Sequence, residues 1–112
     1  MEQRWFVWGF LGLPVEDPWG DWSVDEPWDE GVGGRWVVSP HVSVEALAER
    51  LGSIGERTGG ILRDFPLTAR ASPGGRFSDD PPTLEWICFH VLAEYARHAG
   101  HLDIAVELST HS

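Results

Sequence analysis

The strongest secondary-structure signal in the chain is the stretch PPTLEWICFHVLAEYARHAGHLDIAVEL, residues 81–108. The two prolines mark the end of a loop, and Thr83 belongs to the residue types that commonly cap helix N-termini. Apolar side chains then recur at intervals of three and four residues, which is typical of a helix with one buried face. The sequence therefore predicts a helix from Thr83 to about Leu108, and it indicates an all-α fold.

Four ionisable side chains of this predicted helix lie along the edge of its apolar face. At ~100° per residue, His98 lies within ~40° of Glu94 on one side, and His90 and His101 lie within ~40° on the other. A carboxylate at a buried face costs free energy unless it is paired or bound to a metal ion. Glu94 and His98 are one turn apart, so both side chains can converge on one divalent metal ion. His90 and His101 are candidates for an additional ligand or for a supporting contact to a ligand.

Other interpretations of these residues remain open at this stage. A plain ion pair between Glu94 and His98 would stabilise the helix without any metal. A catalytic zinc site normally needs a third protein ligand and an open position. The single cysteine, Cys88, lies on the apolar side, and we expect it in the core because no basic group is placed to lower its pKa.

Two further helices are predicted before the last one. The first runs from Glu2 to about Gly12, and the second runs from Val44 to Asp64 with Ser43 as its N-cap. Between them, residues 14–40 form an irregular stretch that we expect to fold over the core, with a short strand at residues 35–38. That stretch contains Trp19, Trp22, Trp28 and Trp36.

Composition excludes several classes of partner and location. The net charge is −10 and all eight basic residues are arginine, so nucleic acid and anionic membrane surfaces are unfavourable partners. No apolar run approaches the length of a membrane span. One cysteine rules out an internal disulfide and fits a reducing, cytoplasmic location. A length of 112 residues predicts one domain.

The stretch WICFHVLAEYARHAGHLDIA, residues 86–105, resembles the last bundle helix of the DinB-like four-helix-bundle superfamily. Within that superfamily it is most similar to the actinobacterial branch related to mycothiol-dependent metalloenzymes. Residues 2–6 resemble the end of the second family helix, and residues 35–47 look like the entry into the third. The resemblance therefore covers nearly the whole chain.

The resemblance implies an up-down helical bundle that holds a divalent metal, zinc or nickel. Carried over to this chain, Glu94 and His98 are the last-helix ligands, and Arg97 lines the cofactor site. The implied activity is metal-dependent thiol transfer, in which a thiolate of the mycothiol type attacks a small electrophile. The expected partners are therefore a low-molecular-weight thiol and that electrophile.

One departure from the family pattern supports a different expectation. The first family helix and the start of the second have no counterpart, so the remaining family ligand, a histidine, would fall upstream of Met1. The chain is then an incomplete bundle of about three helices with a long Trp-rich loop. Trp5, Phe6 and Trp8 are expected to expose apolar surface at its end. The alternative function is a non-catalytic truncated bundle that acts as a homodimerising module.

Overall fold

The computed structural model describes residues 1–15 and 40–111. Its element order is a short N-terminal helix, Gln3–Phe10, followed by α1, Val44–Asp64, and α2, Leu84–Thr110. The described residues contain no strand, which confirms the prediction of an all-α, incomplete bundle. The Trp-rich stretch and the strand expected at residues 35–38 lie outside the described residues.

The N-terminal helix is a π-helix rather than the α-helix that the sequence suggested. A backbone hydrogen bond of the i to i+5 type, from Leu11 N to Phe6 O at 3.1 Å, shows the wider turn. The helix is followed by Gly12, whose φ of +70° favours glycine. The expectation that Phe6 is exposed was wrong, because Phe6 is only 3% exposed. Trp5 and Trp8 are half-buried.

Helix α1 has the bounds and the cap that the sequence predicted. The Ser43 side chain accepts a hydrogen bond from Ala46 N at 3.1 Å, which satisfies one free backbone donor of the first turn. The two ends of α1 differ in burial. Ile61 is buried, whereas Val44 at the other end of α1 is 77% exposed. The helix therefore contributes to the core mainly through its C-terminal turns.

Helix α2 begins at the predicted cap and extends two residues beyond the predicted end, to Thr110. The Thr83 hydroxyl accepts from Trp86 N at 3.2 Å. Leu84 and Ile87 are fully buried, and Val91 is 5% exposed. Complete burial of such a side chain stabilises the folded state by about 1.5–3 kcal/mol relative to an exposed side chain. The first two turns of α2 are therefore the part of this helix that anchors it in the fold.

The loop of residues 65–83 attaches the N-terminal helix to the start of α2. Its backbone donates hydrogen bonds from Ser72 N to Phe10 O at 2.8 Å and from Arg76 N to Trp8 O at 3.2 Å. A Cβ atom at Gly75 would lie 2.2 Å from Trp8 O, so this close approach requires glycine. The loop thus brings the N-terminal helix and the first turns of α2 to one place.

The core forms where these pieces meet, with the N-terminal helix contacting both α1 and α2. Its buried members come from all three helices and the loop, and they are Phe6, Phe10, Ile61, Ala71, Leu84, Ile87 and Val91. Val91 is the last buried residue of α2. Glu94 follows it by three positions, so the candidate site lies at the rim of the core. No helix in the described part of the chain has the length and hydropathy needed to cross a membrane.

Candidate functional site

The Glu94 carboxylate lies between two histidines of the same helix. Its Oε1 is 3.4 Å from His90 Nε2, and its Oε2 is 3.5 Å from His98 Nε2. Residues four apart in a helix share a face, so His90 and His98 flank Glu94 on opposite sides along the axis. The Glu94 side chain is 22% exposed, against 63% for His98. The carboxylate is thus half-buried, with an imidazole facing each oxygen.

Arg97 and His101 occupy different positions relative to this carboxylate. Arg97 Nη1 lies 3.7 Å from Glu94 Oε1, and the Arg97 side chain is 60% exposed. The His101 ring packs edge-on against the His98 ring, with centroids 6.4 Å apart. The structure therefore gathers His90, Arg97 and His98 around Glu94, and it places His101 against His98.

The spacing of Glu94 and His98 is suitable for two ligands of one metal ion. Ligand atoms about 2.0–2.2 Å from a tetrahedral zinc ion lie about 3.4 Å from each other. The Oε2–Nε2 distance of 3.5 Å matches that value. Among residues 1–15 and 40–111, no three His, Cys, Asp or Glu side chains are grouped to hold a metal ion. His90 does not complete the set, because its Nε2 approaches Oε1 of Glu94, whereas His98 Nε2 approaches Oε2 from the opposite side along the helix.

The His90 ring packs against two indoles, which also contact each other with centroids 6.2 Å apart; the sequence reasoning missed this cluster. The His90 centroid is 4.1 Å from the Trp5 ring and 5.0 Å from the Trp86 ring, and the imidazole is nearly parallel to the Trp86 ring. The Trp86–His90 contact has a sequence signal, since the two residues are one turn apart. The Trp5–His90 contact has none, because it depends on how the N-terminal helix packs.

A second cluster that the sequence did not indicate joins all three helices at Glu2. The Thr58 hydroxyl donates to Glu2 Oε1 at 2.7 Å, and the Tyr95 hydroxyl donates to Glu2 Oε2. Burial and the hydrogen bond to the Glu2 carboxylate raise the pKa of Tyr95 to about 12. Tyr95 therefore remains a neutral phenol at physiological pH. It follows Glu94 directly in the chain, so this cluster fixes α2 beside the candidate site.

Comparison with known families identifies the chain. A family model described as mycothiol S-transferase matches residues 1–110. The chain belongs to the mycothiol S-transferase family. This confirms the resemblance to the DinB-like superfamily and relates the chain to a thiol substrate of the mycothiol type. Neither a curated protein nor a solved structure gives a significant match.

In a member of the mycothiol S-transferase family, the protonation state of the protein's own thiol, Cys88, indicates whether that thiol could act as a nucleophile. Burial raises the pKa of the Cys88 thiol, so the thiolate form is disfavoured at neutral pH. Cys88 also packs against the core cluster, as predicted from its position on α2. This thiol has the surroundings of a structural cysteine rather than those of a nucleophile.

This mycothiol S-transferase family chain also has a cleft beside the Glu2 cluster. The cleft has a volume of ≈ 220 Å³, and its wall carries the polar side chains of Glu2, Gln3, Arg50 and Tyr95. Leu47, Leu51 and Ile54 of α1 supply apolar groups to the same cleft. A small molecule placed there would meet both hydrogen-bonding and apolar groups.

Proposed function

We propose that this chain is a metal-dependent thiol S-transferase that joins a thiol of the mycothiol type to a small electrophile. The observation that carries the proposal is the half-buried Glu94 carboxylate, whose Oε2 faces His98 Nε2 at 3.5 Å, in a chain of this family. In the proposed reaction the thiol sulfur forms a bond to the electrophilic carbon. The leaving group departs with the bonding electrons, and the thiol proton is released.

Glu94 and His98 are the proposed metal ligands. A divalent metal ion bound there, zinc or nickel, would lower the pKa of a thiol that coordinates it. Glu94 is suited to the role because its negative charge balances part of the charge of the metal at a half-buried position. His98 is suited because 63% of its side chain is exposed, which leaves room for a substrate beside it.

Other parts of the chain have supporting roles in this proposal. Arg97 contributes a positive charge next to the site and is assigned to binding of the thiol cofactor. His101 is the nearest candidate for an additional ligand, through its contact with the His98 ring. We further propose that residues 1–112 form one domain and that the protein acts in the cytoplasm, where a low-molecular-weight thiol stays reduced.

Elemental analysis of the purified protein tests the metal site. We expect about one zinc or nickel ion per chain, lost in the double variant Glu94→Ala/His98→Ala. The matched control is Glu107→Ala/His111→Ala, which removes the same residue types at the same spacing near the end of α2. Metal content that stays unchanged in the first variant, or is absent from wild type after zinc is added, contradicts the proposed site.

An activity assay tests the reaction itself. Mycothiol and a bimane electrophile are mixed with the metal-loaded protein, and formation of the thioether is followed by fluorescence. We expect turnover that requires Glu94 and His98 and that survives the control substitutions at positions 107 and 111. Turnover that is equal in all variants would show that the reaction does not use this site.

We also propose that the chain forms a homodimer through the second half of α2, residues 95–110. That half is apolar on several sides, a property of helices that are buried, yet its large apolar side chains are exposed. They are Leu102, Ile104, Val106 and Leu108, each at least 54% exposed. A second copy of this chain is the proposed occupant. Sedimentation over a range of concentrations should show a dimer that Leu102→Glu/Val106→Glu dissociates, and a monomer at all concentrations contradicts it.

A further inference from the structure

The cleft of ≈ 220 Å³ beside the N-terminal helix continues into a second cleft of ≈ 240 Å³. Gln3, Arg50 and Ile54 line both clefts, whereas Leu51 lines only the first and Arg57 only the second. Leu51 and Arg57 are six positions apart on α1, which is about 9 Å along the helix axis. The two clefts therefore form one groove along α1, which we call the α1 groove.

The second cleft is the cationic part of the α1 groove. Its wall contains Arg50, Ser53 and Arg57, and the described residues that line it include no Asp or Glu. Within residues 1–15 and 40–111, Arg50 and Arg57 form no ion pair. A guanidinium presents paired N–H donors that match the two oxygens of a carboxylate. This part of the groove is therefore suited to an anionic group, although the chain as a whole has a net charge of −10.

The first cleft adds apolar surface to the α1 groove. Leu47, Leu51 and Ile54 line it, and Leu51 is 58% exposed. An apolar chain that packs on these side chains would remove their surface and its own from water, which is favourable. The α1 groove thus offers a charged part and an apolar part to the same ligand.

Glu2 determines which way round such a ligand would lie. Its carboxylate lines the first cleft and accepts hydrogen bonds from Thr58 and Tyr95. Because like charges repel, this carboxylate disfavours an anionic group in the first cleft. In the second cleft, the two positive charges of Arg50 and Arg57 outweigh the one negative charge of Glu2. The anionic end of a ligand is therefore expected in the second cleft.

We propose that the α1 groove binds an aliphatic carboxylate, with the carboxylate at Arg50 and Arg57 and the apolar chain along Leu51. The two cleft volumes and the distance between Arg57 and Leu51 are suited to a chain of medium length, so octanoate is the probe. Neither Glu94 nor His98 lines either cleft. The inference therefore goes beyond the proposed function and does not depend on it.

NMR titration of the nitrogen-labelled chain with octanoate tests the site and locates it. We expect saturable shifts of the backbone amide signals of Ser53, Ile54 and Arg57. Acetate has the charge without the chain, and octanol has the chain without the charge, so each should bind about tenfold more weakly or worse. Octanol that binds as tightly as octanoate overturns the inference. Shifts that are absent from these three amides, or that are confined to residues 102–108, also overturn it.

Arg57→Gln tests the charged part of the groove. Arg57 is exposed and glutamine is a good helix former, so the variant should fold. We expect it to weaken octanoate binding by about tenfold and to leave octanol binding unchanged. Arg63→Gln is the matched control, because Arg63 is an exposed arginine of the same helix that lines neither cleft. Equal octanoate affinity in these two variants overturns the inference.

Leu51→Gln tests the apolar part, and we expect it to weaken the binding of octanoate and of octanol alike. Val44→Gln is the matched control, because Val44 is 77% exposed on the same helix and lines neither cleft. An octanoate affinity that Leu51→Gln leaves unchanged overturns the inference. Circular dichroism checks that each variant is folded.

The double variant Glu94→Ala/His98→Ala, titrated in the absence of metal, separates this inference from the proposed function. We expect it to bind octanoate as wild type does, because both substitutions lie outside the α1 groove. Loss of octanoate binding in this variant would place the ligand at the candidate metal site and overturn the inference. If wild type binds octanoate as expected but takes up no metal, only the proposed function fails.

Discussion

The two halves of α2 have the same sequence pattern and very different surroundings. In the first half, Leu84–Val91, the apolar residues Leu84 and Ile87 are completely buried. In the second half, residues 95–110, Leu102 is 64% exposed and Leu108 is 67% exposed. The N-terminal helix and the loop of residues 65–83 pack on the first half. Glu94 stands at the boundary between the two halves, where the core ends.

The difference shows that helical periodicity identifies an apolar face but does not show whether another segment packs on that face. The helical period predicts that Leu84, Val91 and Leu102 share one side of α2. Burial depends on which other segments reach that side. Among the described residues, Tyr95 at the start of the second half contacts Glu2, and the large apolar side chains beyond it are exposed. A half-buried carboxylate at the boundary is accessible to a substrate and still partly shielded from water.

The largest expected effect comes from the buried half. Ile87→Ala leaves a cavity in the core and should lower the free energy of unfolding by about 2–5 kcal/mol. Leu102→Ala, in the exposed half, should change it by no more than about 0.5 kcal/mol. Urea unfolding followed by circular dichroism measures both values.

Comparing the stabilities of these two variants tests whether the second half of α2 is exposed in solution. A Leu102→Ala variant as unstable as Ile87→Ala would show that the second half of α2 is covered in solution. Repeating the measurement over a range of protein concentrations then shows whether a second copy covers it, because dimer stability depends on concentration.

The next effect concerns Tyr95, the first residue of the exposed half and the only tyrosine in the chain. Because burial and the Glu2 hydrogen bond raise its pKa to about 12, tyrosinate absorbance should develop far above the pH of an ordinary phenol. The folded state keeps the proton that the unfolded state loses near pH ~10. The stabilisation is therefore complete below that pH and is lost as the pH rises from about 10 to 12.

A substitution at Glu2 sharpens this prediction. Glu2→Gln removes the charge and should bring the Tyr95 pKa part of the way back, with burial accounting for the remainder. Absorbance titration measures the shift directly. A Tyr95 pKa near that of a free phenol in wild type would show that the Glu2 contact does not form in solution.

A smaller effect is expected at the helix ends. Thr83→Ala removes the cap of the buried half, where the hydroxyl accepts from Trp86 N, and should cost about 0.5–2 kcal/mol of stability. Thr110→Ala at the other end removes only a bond to the Glu107 carbonyl and should cost less. Thermal unfolding compares the two, and equal losses would contradict the unequal anchoring of the two halves.

The smallest effect is expected for the thiol of the buried half. Cys88→Ala should leave transferase activity unchanged, because burial keeps the Cys88 pKa above its ordinary value and the reacting thiol comes from the substrate. The assay with mycothiol and the bimane electrophile measures this. A complete loss of turnover in a variant that remains folded would make Cys88 a nucleophile and contradict the proposed mechanism.

Much of the fold was predictable from local sequence signals. Ser43 and Thr83 were identified as caps because their side chains satisfy backbone donors a few residues away, and this interaction is entirely local. The π-helical form of residues 3–10 was not predicted, since their spacing alone does not distinguish it from an α-helix. The burial of Phe6 was also missed, because it depends on residues more than fifty positions away.

The sequence by itself determined the helices α1 and α2 and the juxtaposition of Glu94 with His90 and His98, since helical geometry places residues four apart on one face. Only the tertiary structure decided that Trp5 packs against His90, that Glu2 accepts from Tyr95, and that the core ends just before Glu94. Each of these contacts joins residues far apart in the chain. Such contacts depend on how whole elements pack, and a local pattern carries no information about that packing.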